Sequence, residues 1–198
     1  MKRMSVLMAV AFVDMIGLMM VLPLLPLYAL RLHADPATIG FLTASFPVAQ
    51  LASSPIWGRV SDRYGRRPVL LVGLAGSAVA YVIFGLASAL WLLFASRFVQ
   101  GLGGGTTGVA QAYVADTMEP HERAKALGWL SAATSAGVIV GPGLASLAAR
   151  WGETVPGLVA AGLCALNVIF AWRWLPESAL CGTRYGRSSA TLAVRWPI

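Results

Sequence analysis

Charge is what this sequence has least of. Charged residues make up 12% of its 198 residues, against roughly 25% in an ordinary soluble domain. Hydrophobic residues make up 58%, and the mean hydropathy is +0.72. That leaves too little polar surface to coat a globule in water. Cysteine is nearly missing as well. The two present, Cys164 within an apolar run and Cys181 near the end, have no metal-ligand spacing and cannot build a framework of bridges. No apolar stretch pairs a nucleophile with a histidine or gathers a metal cluster, which argues against an intramembrane enzyme and nominates no catalytic residue, metal or cofactor. The net charge of +7 could suit a nucleic-acid partner, but its placement reads as a membrane topology signal, so none is expected.

What the sequence does have is apolar length. Runs of about 20 residues recur along the chain, and at ~1.5 Å per residue each can cross a hydrocarbon layer of ~30 Å. Divided at charged or turn-rich breaks, they predict six transmembrane helices at 6–30, 38–57, 69–88, 90–114, 126–148 and 155–175, an all-α integral membrane protein with the lipid bilayer as its partner. The third and fourth runs nearly merge at Ala89, but one helix of their joint length would exceed any bilayer, so two spans and a tight turn are expected. The opening MKRMSVLMAV resembles a signal peptide. Its apolar run continues past that length, contains Asp14 and offers no A-x-A cleavage site, which makes it a retained first span. With the N-terminus in the cytoplasm, only Arg31 and Arg150 fall outside and Arg97 lies within a span; every other Lys and Arg is cytoplasmic, a decisive inside bias. The C-terminus is then cytoplasmic too.

Two buried charges stand out. Asp14 lies ~12 Å below the interface if the first run is helical, where an unpaired carboxylate costs several kcal/mol and must be neutralised, paired or hydrated. Burial favours the protonated form and a nearby cation the charged one, so a site that alternates between wet and dry can take up and release a proton. The alternative is a packing role, Asp14 pairing with another helix. Arg97, inside the fourth run, cannot easily discard its charge. If the two helices touch, Asp14 and Arg97 can neutralise one another; otherwise Arg97 snorkels outward to the headgroups.

Glycines form the next pattern. Gly103, Gly105 and Gly108 have G-x-G-x-x-G spacing, but inside an apolar span and without a preceding strand this is no dinucleotide fingerprint. Gly101, Gly104, Gly105 and Gly108 instead recur on one helix face, smooth enough for close packing of another helix. Gly137, Gly141 and Pro142 combine a G-x-x-x-G face with a local break, either a hinge or a fixed seal. Gln50, Gln111, Tyr113 and Asn167, with Phe41, Phe46 and Tyr81, could line a cavity for an amphipathic compound or simply pack.

Four segments carry a family resemblance. GRVSDRYGRRP at 58–68 resembles the G-x-x-x-D-R-x-G-R-R signature between the second and third spans of the major facilitator superfamily. FVDMIGLMMVLPLLPLY resembles the first-helix motif of bacterial drug efflux pumps, with Asp14, Gly17, Pro23 and Pro26 in place. SRFVQGLGGG resembles the family's R-x-x-Q-G motif through Arg97, Gln100 and Gly101. GVIVGPGLAS resembles the antiporter motif G-x-x-x-G-P-x-x-G-G, with Ala145 and Ser146 where two glycines are the rule. The resemblance runs over about residues 6–178 and is nearest to proton-coupled antiporters of the tetracycline-efflux type, although the third span offers Ala80 where tetracycline pumps tend to carry an acid.

The resemblance implies the N-terminal six-helix half of a twelve-helix transporter, built as 3+3 inverted repeats in the cell membrane. It implies efflux of a small amphipathic substrate in exchange for protons, with Asp14 and Arg97 coupling the two. It makes Gly58, Asp62, Arg63, Gly65, Arg66 and Arg67 a cytoplasmic latch in the loop between the second and third spans, where a solvated loop that only orients the chain would leave Asp62 without a task. It gives Gly137, Gly141 and Pro142 a role against leak. Residues 179–198 show no further span and no family resemblance, and read as a truncation or frameshift product. Such a half would need its C-terminal counterpart or a homodimer partner, and would otherwise be a non-transporting membrane fragment. A metabolite or sugar symporter of the same fold is the other reading.

Overall fold

The computed structural model describes residues 2–176, and every regular element among them is helical; the 179–198 segment lies outside the described residues. Helix α1 runs Lys2–Val21, a 3-10 turn spans Leu22–Leu24, and α2 continues over Leu25–Arg31. Pro23 and Pro26 explain that interruption: each removes a backbone donor, and each sits at the start of the next helical piece, where the loss is tolerated. Helix α3 covers Pro36–Tyr64 and opens on Asp35, which accepts a hydrogen bond from the Thr38 hydroxyl. That bond holds the Asp35 carboxyl below its usual range. Helix α4 covers Arg66–Gly85, α5 Leu90–Gly103, α6 Thr106–Thr117, α7 Arg123–Ala148 and α8 Val155–Trp174.

Five stretches are long and apolar enough to cross a bilayer: Met4–Arg31, Pro36–Tyr64, Arg66–Gly85, Arg123–Trp151 and Val155–Trp174. The run expected as one helix over 90–114 is divided at Gly104–Gly105 into α5 and α6. The cause is local, because consecutive glycines weaken a helix and these two keep right-handed φ of −71° and −68° with ψ near zero, tightening the turn without reversing the chain.

A second difference concerns the DRxGRR segment, expected as a loop. Gly58 to Tyr64 remain in α3, Arg66 and Arg67 begin α4, and Gly65 alone makes the turn, at φ 101°. Only glycine adopts that conformation without strain. Nor does Pro142 break α7, which runs unbroken through it.

Helix α1 packs chiefly on α7 and α8, α4 on α8 and α5, and α3 on α5; α1 meets the fourth apolar run through α6. Large apolar side chains face outward all round the bundle, among them Phe41, Leu51, Trp91, Ile139, Leu166 and Trp172. In water such a surface would aggregate; in lipid it is ordinary.

Candidate functional site

The core is two apolar clusters with a polar layer between them. Along α1, Leu7 and Val10 belong to one cluster and Ile16 and Met20 to the other, with Asp14 between. The same change of cluster occurs on α4 between Leu74 and Tyr81, around Ser77, and on α8 between Cys164 and Ala171, around Asn167. On the fourth run it falls between Leu93 and Val109, where Arg97, Gln100 and Thr106 lie. Four helical runs thus place polar side chains at half depth, where lipid supplies no hydrogen bonds.

Asp14 is the carboxylate of this layer; the other acids among the described residues lie in connections or at helix ends. It is partly buried, and Thr106 Oγ1 donates to its Oδ2 at 3.2 Å. Cavities open on two sides of it. One of about 40 Å³ combines Leu7, Val10, Leu70, Leu74 and Leu130 with Thr107, Gln111, Ser131 and Thr134. The other, of about 30 Å³, is lined by Phe46, Gln50, Ser77, Tyr81 and Gln100 among others. A lone ionised carboxylate at this depth costs about 2.5–3.5 kcal/mol, so its protonation state depends on how much water the cavities admit.

Arg97 does not meet Asp14, contrary to the neutralisation expected from the sequence. It is 1% exposed, and its three guanidinium nitrogens have no hydrogen-bond partner among the described residues. Its guanidinium carbon lies 5.5 Å from the centroid of the Phe84 ring, a cation–π arrangement. The reason is topological: Arg97 is on α5, whereas α1 faces α6, and Thr106 occupies the place beside the acid. Nor does Arg97 snorkel to the headgroups, since it is wholly buried. Its neighbour on the same helix face, Gln100, donates from Nε2 to the Tyr81 hydroxyl at 2.6 Å.

At the other polar site Arg66 is the hub. Its Nη2 lies 2.6 Å from Asp62 Oδ1, its Nε donates to Asp116 Oδ2 at 2.9 Å, and its Nη1 donates to Ser61. One guanidinium therefore ties the end of α3 to the start of α4 and the end of α6. Arg67 donates to the Trp172 carbonyl of α8, and Arg63 lies over the Tyr64 ring. Gly58 meets nothing within 4 Å and opens on a cavity of about 250 Å³ lined also by Gln50, Ser61, Arg66 and Gly108.

Glycines bring the helices together. A Cβ on Gly101 would stand 2.5 Å from the Phe46 carbonyl oxygen, and Gly104 and Gly105 press on Gln50 and Trp57, so all three face α3. Gly108, the fourth of that series, faces open space. Gly137 and Gly141 admit the Phe12 and Ile16 carbonyls and the Met15 and Met19 side chains, seating α7 on α1.

A sequence profile of the Major Facilitator Superfamily matches residues 7–184. The chain belongs to the major facilitator superfamily. Multidrug resistance protein 2 of Bacillus subtilis (strain 168) is 34% identical over 181 residues, covering 91% of this chain and 45% of that protein. The class C tetracycline resistance protein of Escherichia coli is 37% identical over 168 residues, 83% of this chain and 42% of that one. The crystal structure of the human organic anion transporter MFSD10 superposes with a TM-score of 0.76 at 26% identity, covering 89% of this chain and 48% of that one. The chain spans about half the length of the curated relatives it matches. The superfamily is one of membrane transporters, not of enzymes.

Within this superfamily fold the four polar residues singled out for a cavity separate into two pairs. Gln50 and Gln111 line cavities beside Asp14, and so do Phe46 and Tyr81. Tyr113 and Asn167 are spent on packing: Tyr113 donates to the Pro176 carbonyl at 2.8 Å, and Asn167 Nδ2 donates to the Val10 carbonyl at 2.9 Å. Phe41 points outward, 72% exposed. Sequence reasoning missed Thr106, which holds Asp14, Asp116, which holds Arg66, and the Ser131–Thr134 pair on the cavity wall. The last had a signal, two hydroxyls at i, i+3 in an apolar run.

Proposed function

We propose that the chain is the N-terminal half of a proton-coupled efflux transporter, with α5 and α6 together forming a sixth crossing and the bundle arranged as 3+3 inverted repeats. Its substrate is a small amphipathic compound, in keeping with the multidrug and tetracycline resistance proteins it is similar to. Asp14 is the proton site and Arg97 its charge partner at a distance. One observation carries this reading: a carboxylate between the two apolar clusters, held by a single hydroxyl and opening to a cavity lined by leucines together with hydroxyl and amide side chains. An acid so placed binds a proton when dry and releases it when wet. The driving force suffices, since one charge crossing 100 mV is worth ~2.3 kcal/mol.

Gly58, Asp62, Arg63, Gly65, Arg66 and Arg67 form a cytoplasmic latch, its Asp62 carboxylate exposed to a partner while Arg66 secures it from behind. Gly137, Gly141 and Pro142 hold the α1–α7 seam closed against leak. Alternating access rocks one such half against another, so the working unit contains a second six-span half, a C-terminal counterpart or a second copy. Both termini are cytoplasmic.

The test is proton-driven efflux in cells expressing the chain with its counterpart half, or in vesicles containing it as a dimer, using tetracycline and a lipophilic cation as substrates. Asp14→Asn is expected to abolish accumulation against a gradient while leaving protein in the membrane. Undiminished uphill transport in that variant would remove Asp14 as the proton carrier. Silence of the unaltered protein in both arrangements would favour a helix-association role.

A further inference from the structure

Asp14 and Arg97 do not touch, yet the polar atoms between them are ordered. The cavity of about 30 Å³ beside Asp14 is shared with Ser77, Tyr81, Gln100 and Thr106. A buried water needs about 10–15 Å³ and two to four polar partners, and this cavity meets both conditions. Tyr81 is 1% exposed and Gln100 2%. Because Gln100 Nε2 donates to the Tyr81 oxygen at 2.6 Å, the phenolic hydrogen remains to be given elsewhere. Asp14 is the one carboxylate on the cavity that can receive it, directly or through a water.

The other end of the Gln100 amide continues the line. Its Oε1 is buried with no partner, and Arg97, three residues earlier and adjacent on the same helix face, has three buried nitrogens with no partner. An unsatisfied acceptor three residues along the helix from unsatisfied donors is a complementary pair. Tyr81 stands within the electrostatic reach of Asp14 and Arg97 alike, and of Cys164, the remaining ionisable group packed there.

We propose that Tyr81 and Gln100 are positioning residues that join Asp14 to Arg97: a water in the cavity bridges the carboxylate to the phenol, and the Gln100 amide carries the polarisation on to the guanidinium. Chains of hydrogen bonds polarise one another in a low-dielectric interior. Protonating Asp14 leaves its carbonyl oxygen as a weaker acceptor at one end, and the change passes through the phenol and the Gln100 amide to the guanidinium. The inference rests on Asp14 as the proton site and supplies the route by which a base it never touches senses its state.

Infrared spectroscopy of the full chain in lipid tests this without requiring transport. The C=O stretch of protonated Asp14 is assigned by its loss in Asp14→Asn. Tyr81→Phe keeps the ring and removes the hydroxyl, and is expected to move that band to higher frequency as a hydrogen bond is lost. Arg97→Gln is expected to move it too, despite the lack of contact, and to add nothing in the Tyr81→Phe background, the non-additivity of groups sharing one network. Gln100→Met should likewise erase the Arg97→Gln effect, a second route to the same answer. A band unmoved by Tyr81→Phe, or an Arg97→Gln shift that survives undiminished in that background, overturns the relay. Absence of any Asp14 band at every pH would instead sink the proton-site reading itself.

Discussion

At the scale of single residues, closeness is enforced by what is missing from a side chain. Gly101 and Gly108 lie on the same stretch of apolar sequence and read alike, but their surroundings differ. A methyl at Gly101 would fall 2.5 Å from the Phe46 carbonyl oxygen and 2.7 Å from the Ala49 Cβ, whereas at Gly108 it meets nothing within 4 Å. Overpacking against backbone costs about 1–3 kcal/mol, while alanine in an open helical position is worth up to about 1 kcal/mol over glycine. Gly101→Ala is therefore expected to lower stability in a denaturing-detergent titration and Gly108→Ala to leave it unchanged or raise it. Equal losses at both positions would mean that α3 does not press on α5 as described. Sequence periodicity put the two glycines on one face of one helix; it could not tell that the run divides at Gly104–Gly105, which leaves Gly101 on α5 against α3 and Gly108 on α6 facing open space.

At the scale of elements, the DRxGRR segment shows what hydropathy can and cannot locate. Its charges mark where the apolar run ends, and a span read from hydropathy stops there. The helix does not stop, because nothing in VSDRY opposes it, and α3 continues past the apolar run until Gly65 supplies the positive φ that ends it. Staying helical is what aims Asp62 at Arg66, four residues on across the turn, and sets Arg66 against α6. Asp116 was invisible as its partner, being fifty residues away with no motif around it. The two ion pairs of Arg66 should differ in strength. Asp116 is 18% exposed and Arg66 14%, against 65% for Asp62, and charge-assisted hydrogen bonds shielded from water are worth about 1.5–3 kcal/mol, exposed pairs about 0.2–1 kcal/mol. Double-mutant cycles on unfolding, Arg66→Met with Asp116→Asn and with Asp62→Asn, are expected to give the larger coupling energy for Asp116. The reverse order would mean that Asp62 is buried in the membrane-bound protein, consistent with a latch partner already covering it.

At the scale of the whole molecule, side-chain ties decide which ends of the helices lie together. Arg66 with Asp116, Arg67 with the Trp172 carbonyl and Tyr113 with the Pro176 carbonyl gather the turn between α3 and α4 and the ends of α6 and α8 on one side. The ion pair of Arg31 with Glu153 gathers the end of α2 and the approach to α8 on the other. The first side holds Arg59, Arg63, Arg66, Arg67, Arg123, Lys125 and Arg173; the second holds Arg31, already neutralised by Glu153, and Arg150. The bundle can enter a bilayer in only two ways, and unbalanced cations resist transfer across it, so the first side is expected to stay in the cytoplasm. His33 and His121 mark the two sides in the connections 32–35 and 118–122. With Cys164 and Cys181 replaced by alanine, cysteine at 33 is expected to react with a membrane-impermeant maleimide on intact cells, and cysteine at 121 only once the membrane is opened. Because the ties fix all the ends together, a reversed pattern would invert the whole bundle and place the latch outside. Labelling of both positions from outside would contradict the bundle itself, since no single insertion exposes both sides of a structure whose helices alternate in direction.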